Sequence, residues 1–141
     1  MLQRLAGTAL LLLVLLAPSA EAQASKKNTE PEYDGRPLSS WIVDLKTAAA
    51  PYSRNAAAYA ISGMGPAAKA AVPALIEALT DLEATVRFPV CIALREIGPD
   101  AKDAVPALTL ALDDRNEDVA AMARRAILKI TGEDPRPPEE E

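Results

Sequence analysis

The sequence predicts an all-α fold, a solenoid of three stacked helical hairpins, and three observations carry that prediction. The stretch GPAAKAAVPALIEALTD, which begins at Gly65, returns almost unchanged as GPDAKDAVPALTLALDD from Gly98, a period of 33 residues. Within a copy the apolar residues fall at i, i+3, i+4 and i+7, as Val72, Leu75, Ile76 and Leu79 and again as Val90, Ala93, Leu94 and Ile97. That spacing draws one apolar stripe along a helix. Half of the residues are hydrophobic but only 4% are aromatic, and alanine, the strongest helix former, is abundant, which favours closely packed helices over a β-sandwich. A single hairpin cannot bury both of its stripes. Stacked copies bury them against one another, and a repeat of roughly 20–50 residues marks that architecture.

Taken in order, residues 1–24 read as a secretory signal peptide. Arg4 precedes an apolar run from Ala9 to Ala17, and small residues follow at Ala20, Ala22 and Ala24. Cleavage is expected after Ala22 or Ala24, the run being shorter than the ~20 residues that span a bilayer. The mature protein is therefore expected to be periplasmic or extracellular, with no membrane association after cleavage. Residues 25–37 are polar and read as a flexible linker. The repeat domain covers 38–132, with repeats near 38–64, 70–97 and 103–130. The first is a weaker copy in which Trp41, Ile42 and Leu45 take the places of Leu75, Ile76 and Leu79. Thr80-Asp81, Asp113-Asp114 and Ala49–Pro51 mark turns inside the repeats. Gly65 and Gly98 end the second helices, and Pro73 and Pro106 sit early in the helices that follow. Thr131-Gly132 closes the last helix, and residues 133–141 read as an acidic, proline-rich, solvated tail. Pro89 falls inside the second helix of the middle repeat, where an interior proline predicts a kink or a frayed first turn near Thr85–Phe88.

The segment VPALIEALTD…TVRFPVCIALREIG resembles a HEAT repeat of the short bacterial type, the PBS-lyase HEAT-like repeat. The marks are the V-P-A-L opening, the turn Asp81, Val86-Arg87, Ala93 and the closing I-G. GRPLSSWIVDL resembles the opening that often precedes such repeats in exported bacterial proteins. The resemblance covers about Arg36 to Gly132 and implies a right-handed α-solenoid of three HEAT-like hairpins. It further implies a ladder between neighbouring repeats, made by the turn aspartate and the arginine that follows it. Arg54, Asp81, Arg87 and Asp114 supply two rungs, whereas Thr47 stands where the first repeat would carry the aspartate and Ala120 where the third would carry the arginine.

Composition narrows the chemistry. The net charge is −5, of which the stretch Glu133–Glu141, with five acids and one arginine, carries −4, so the body is near neutral. A nucleic-acid partner is not expected, because phosphate binding calls for a basic excess. The chain has no histidine. That removes a His-based triad and the paired His-Glu ligands of deoxyhypusine hydroxylase, a HEAT-like enzyme. No D-x-D-x-D-G calcium loop is present. Neither a metal nor a cofactor is expected, and the oxidoreductase-type and lyase-type relatives, which include the bilin-attaching enzymes, are remote alternatives. The single cysteine, Cys91, excludes an internal disulfide; beside Arg87 and Arg95 on an open face, its pKa would be lowered.

What remains is a surface. The resemblance implies that the second helices line the concave face, with Arg54, Asn55, Ala58 and Ser62 projecting from the first repeat. Arg87, Phe88, Cys91 and Arg95 occupy the equivalent places in the second, and Ala121, Arg124 and Leu128 in the third. The candidate partner-binding residues are Arg87, Phe88, Cys91, Arg95, Arg124 and Leu128, since arginine and aromatic side chains are enriched at binding hot spots. The expected function is a non-catalytic protein-interaction module. The alternative is a self-associating solenoid, a homodimer that covers an exposed end.

Overall fold

The computed structural model describes residues 29–136. The signal-peptide reading, the start of the linker and residues 137–141 of the tail lie outside the described residues. Among those described, six α-helices form three hairpins: α1 (Leu38–Thr47) with α2 (Pro51–Gly63), α3 (Val72–Ala78) with α4 (Ala84–Ile97), and α5 (Val105–Ala111) with α6 (Glu117–Thr131). The second helices α2, α4 and α6 pack side by side in one layer, and α1, α3 and α5 cover them on one side. The fold is the all-α solenoid the repeat implies.

The two stripes of each hairpin meet in a continuous core. Leu38 and Leu45 from α1, Leu75 from α3 and Leu108 from α5 are buried against Ile61, Val86, Leu94, Val119 and Ile127 of the second layer. Ala57, Ala60, Ala93 and Ala126 are buried as well, and these small side chains let the helices approach closely. Burial of each larger side chain contributes about 1.5–3 kcal/mol. Short 3₁₀ segments, Gly65–Ala71 and Gly98–Ala104, link one hairpin to the next. Each opens on a glycine at positive φ (57° at Gly65, 74° at Gly98), a conformation that sets the reversal and that glycine adopts without steric cost.

Three sequence expectations need correction. The supposed linker is ordered over its second half. Glu32–Tyr33 and Arg36–Pro37 pair as an antiparallel hairpin, turning at Asp34 and Gly35, both with positive φ. That is the two-residue turn an Asp-Gly pair favours. Tyr33 lies over Gly63 so closely that a β-carbon there would overlap its ring. The Arg36 guanidinium stacks on Trp41 at 3.8 Å and reaches Asp44 at 2.7 Å. The tail also begins ordered: Asp134 binds Arg124, and Arg136 binds Asp113 at the end of the third hairpin's first helix. Finally, α4 is uninterrupted through Pro89. Its first turn is formed, with Val86 and Arg87 donating to the Glu83 carbonyl at 3.0 and 3.1 Å.

Pro89 is tolerated for a local reason. It cannot donate to the Thr85 carbonyl four residues earlier. The Asn55 side-chain amide of the preceding repeat donates to that carbonyl instead, at 2.5 Å.

Candidate interaction surface on the second helices

The ladder residues fix the register of the layer. Arg54 donates from Nε and Nη2 to both carboxylate oxygens of Asp81, at 2.7 and 3.0 Å. Its Nη1 binds the carbonyls of Ala48 and Ala49, in the loop of its own hairpin. Arg87 repeats the arrangement one repeat later, forking onto Asp114 at 2.7 and 2.9 Å and binding the Asp81 and Leu82 carbonyls. Each aspartate also accepts a backbone N–H two residues on, from Glu83 or from Asn116. One carboxylate therefore closes its own turn and ties the preceding repeat. The guanidinium hydrogen bonds hold the Asp81 and Asp114 carboxyls below the usual carboxylate range and raise the two arginines. Arg87 is buried and fully committed here, so it does not serve as a partner-binding residue.

The other candidates separate by helix face. Cys91 is buried, not surface-facing, as is Ala58 at the equivalent position; it lies one turn beyond Arg87, which reaches Asp114 of the next repeat. Burial pushes its thiol up to about 12, against the expected lowering by nearby arginines; the Arg87 charge acts the other way but is outweighed. A thiol so placed is a small core hydrophobe, without the thiolate that nucleophilic chemistry requires. Arg124, at the equivalent position of the last helix, has no further second helix to face. It is exposed, and the returning segment occupies it through Asp134 and the Arg136 carbonyl, at 2.5 and 2.6 Å. Arg95 is half-buried, paired with Glu96 and 3.6 Å from the Met122 sulfur. Leu128 is 44% exposed. Phe88 is half-buried, packed on the core yet open on one side.

That open side is a cleft of about 280 Å³ running across all three second helices. Asn55 and Tyr59 line it from α2, Ala84, Thr85 and Phe88 from α4, and Asn116 and Asp118 from the start of α6. Of the sequence candidates only Phe88 reaches it. Tyr59, 45% exposed, and Asp118 were not anticipated. The signal for Tyr59 was present: it lies four residues beyond Asn55, and Ile92 lies four beyond Phe88, so one helical turn carries the surface column onward. Asn116 is also the cap of α6, its Oδ1 accepting the Val119 N–H at 3.1 Å. No group of three His, Cys, Asp or Glu side chains able to hold a metal ion occurs among the described residues.

A family model described as HEAT repeats aligns with residues 39–128. No curated protein matches the chain at a significant level.

Proposed function

The chain belongs to the HEAT-repeat family, and we propose that it is a non-catalytic protein-interaction module of the cell envelope or exterior, holding a protein partner on the exposed face of its second helices. HEAT repeats commonly act as such scaffolds. The observation that carries the reading here is the cleft itself. It spans α2, α4 and α6 and carries two partly exposed aromatic rings, Tyr59 and Phe88, on helices whose register the ladder fixes. Preorganised aromatic surface binds at low entropic cost. Exported placement rests on the N-terminal pattern Arg4, apolar run, Ala22 and Ala24. The absence of histidine from the chain and the burial of its one cysteine support a non-catalytic role.

Affinity capture from the native exported fraction tests it, comparing the wild-type chain with Tyr59→Asp and with Leu110→Asp, a change at an exposed site on a first helix. The expected result is a partner retained by wild type and by Leu110→Asp but lost by Tyr59→Asp, with unchanged circular dichroism in all three. A partner kept equally by Tyr59→Asp removes the second-helix face from consideration.

A further inference from the structure

The cleft's lining selects a particular kind of ligand group. It holds one carboxylate, Asp118, and no lysine or arginine. Asp118 is exposed and has no hydrogen-bond or ion-pair partner among the described residues. The Asn55 amide spends one N–H on the Thr85 carbonyl and Asn116 spends its Oδ1 on the Val119 N–H, so the two amides line the cleft as neutral groups and Asp118 alone sets its charge. A free carboxylate beside two aromatic rings, with no basic side chain in the lining, favours a cation. The flat guanidinium suits them better than an ammonium, because it stacks on rings and forks onto a carboxylate. Of the chain's arginines near the cleft, Arg54 is engaged on Asp81, Arg87 on Asp114 and Arg95 on Glu96, while Arg115 lies on the turn side of Asn116 with Thr80, Leu82 and Asp114.

From this charge complementarity we infer that the cleft receives an arginine side chain from an extended segment of the partner protein, its guanidinium on Asp118 and its stem along Phe88 and Tyr59. The inference rests on the second-helix face being the interaction surface, and it adds the chemistry that face recognises.

The test is an NMR titration of the full chain with the blocked tripeptide Ala-Arg-Ala, and with the same peptide carrying citrulline, which keeps the shape and removes the charge. The arginine peptide should give saturable shifts at the Thr85, Phe88 and Asp118 amides. The citrulline peptide should bind about tenfold more weakly, as should the arginine peptide to Asp118→Asn, the size of loss expected for one charge-assisted contact. Tyr59→Ala, outside the α6 cap, should weaken binding as well, which separates recognition from any disturbance of that helix start. Equal binding of the two peptides, indifference to Asp118→Asn, shifts confined to other surfaces, or no saturation would each overturn the inference. None of these would touch the scaffold reading, which stands or falls on whether Tyr59→Asp loses the captured partner.

Discussion

Two residues show how a local anomaly is resolved by the neighbouring repeat. Pro89 should weaken its helix by about 3 kcal/mol if the Thr85 carbonyl were simply abandoned. The Asn55 amide takes that carbonyl, so the two positions are coupled across the interface between repeats. Asn55→Ala alone should lower stability by about 1 kcal/mol, the usual size for a hydrogen bond left unmade at a partly wet site. In the Pro89→Ala background the restored backbone N–H satisfies Thr85, and the same change should then cost little. Chemical denaturation of the four proteins measures the coupling, and simple additivity would show that Asn55 is not the compensating group. Cys91 gives a second residue-level expectation. Its thiol is buried and raised to about 12, so iodoacetamide at pH 8 should leave the native protein unlabelled and modify it fully in denaturant. Rapid native labelling would mean that the second-helix layer opens readily.

Within the elements, the rungs of the ladder do what a longer loop could not. Arg87 binds two loop carbonyls of its own hairpin and both oxygens of the next hairpin's turn aspartate, so a single side chain fixes the angle between repeats. Arg87→Ala should cost about 3 kcal/mol, because the Asp114 carboxylate stays behind with little solvent. Arg87→Lys should rescue only part of that, since an ammonium keeps the charge but not the fork. The pH dependence follows from the lowered carboxyls of Asp81 and Asp114. In the unfolded chain they titrate near the ordinary aspartate value of about 4. The stability they contribute is complete above that pH and is lost as pH falls through their depressed folded values. Thermal melts between pH 7 and pH 2 should show a smaller acid-dependent drop in Asp114→Asn than in wild type; an identical drop would mean that other carboxylates control acid unfolding. Much of this scale was legible beforehand: Gly65 and Gly98 gave the period, and the Arg and Asp positions gave the rungs. The surface was less legible. Ala58, Cys91 and Arg124 share one position in the repeat, yet the first two are buried while the third, on the last second helix, is exposed. Sequence alignment equates positions whose surroundings differ at an end.

For the whole molecule, the ends are where the repeat logic stops, and both are closed by different means. At the start, the Glu32–Pro37 hairpin lays Tyr33 over Gly63 and locks Arg36 between Trp41 and Asp44. At the other end, residues 133–136 turn back from α6, bind Arg124 through Asp134 and reach Asp113 through Arg136. The ladder ends at the same places, with Thr47 lacking a carboxylate and Ala120 lacking a guanidinium. A copy docked end to end would therefore find no rung to complete and two covers to displace. Such closure is what a short solenoid needs, since an open end is apolar and adhesive. It argues against the self-associating alternative in its end-to-end form. Light scattering should report a monomer across a wide range of concentration. A chain stopped after Gly132 loses the cover and leaves Arg124 unpaired beside Leu128, which is already 44% exposed. That shortened chain should melt lower and associate as its concentration rises, and high salt, which weakens the exposed Arg124–Asp134 and Arg136–Asp113 pairs, should move the intact protein in the same direction. If the intact chain already associates end to end at low concentration, or if the shortened chain is equally stable and monomeric, the returning segment is not a cover and the last hairpin is stable without it.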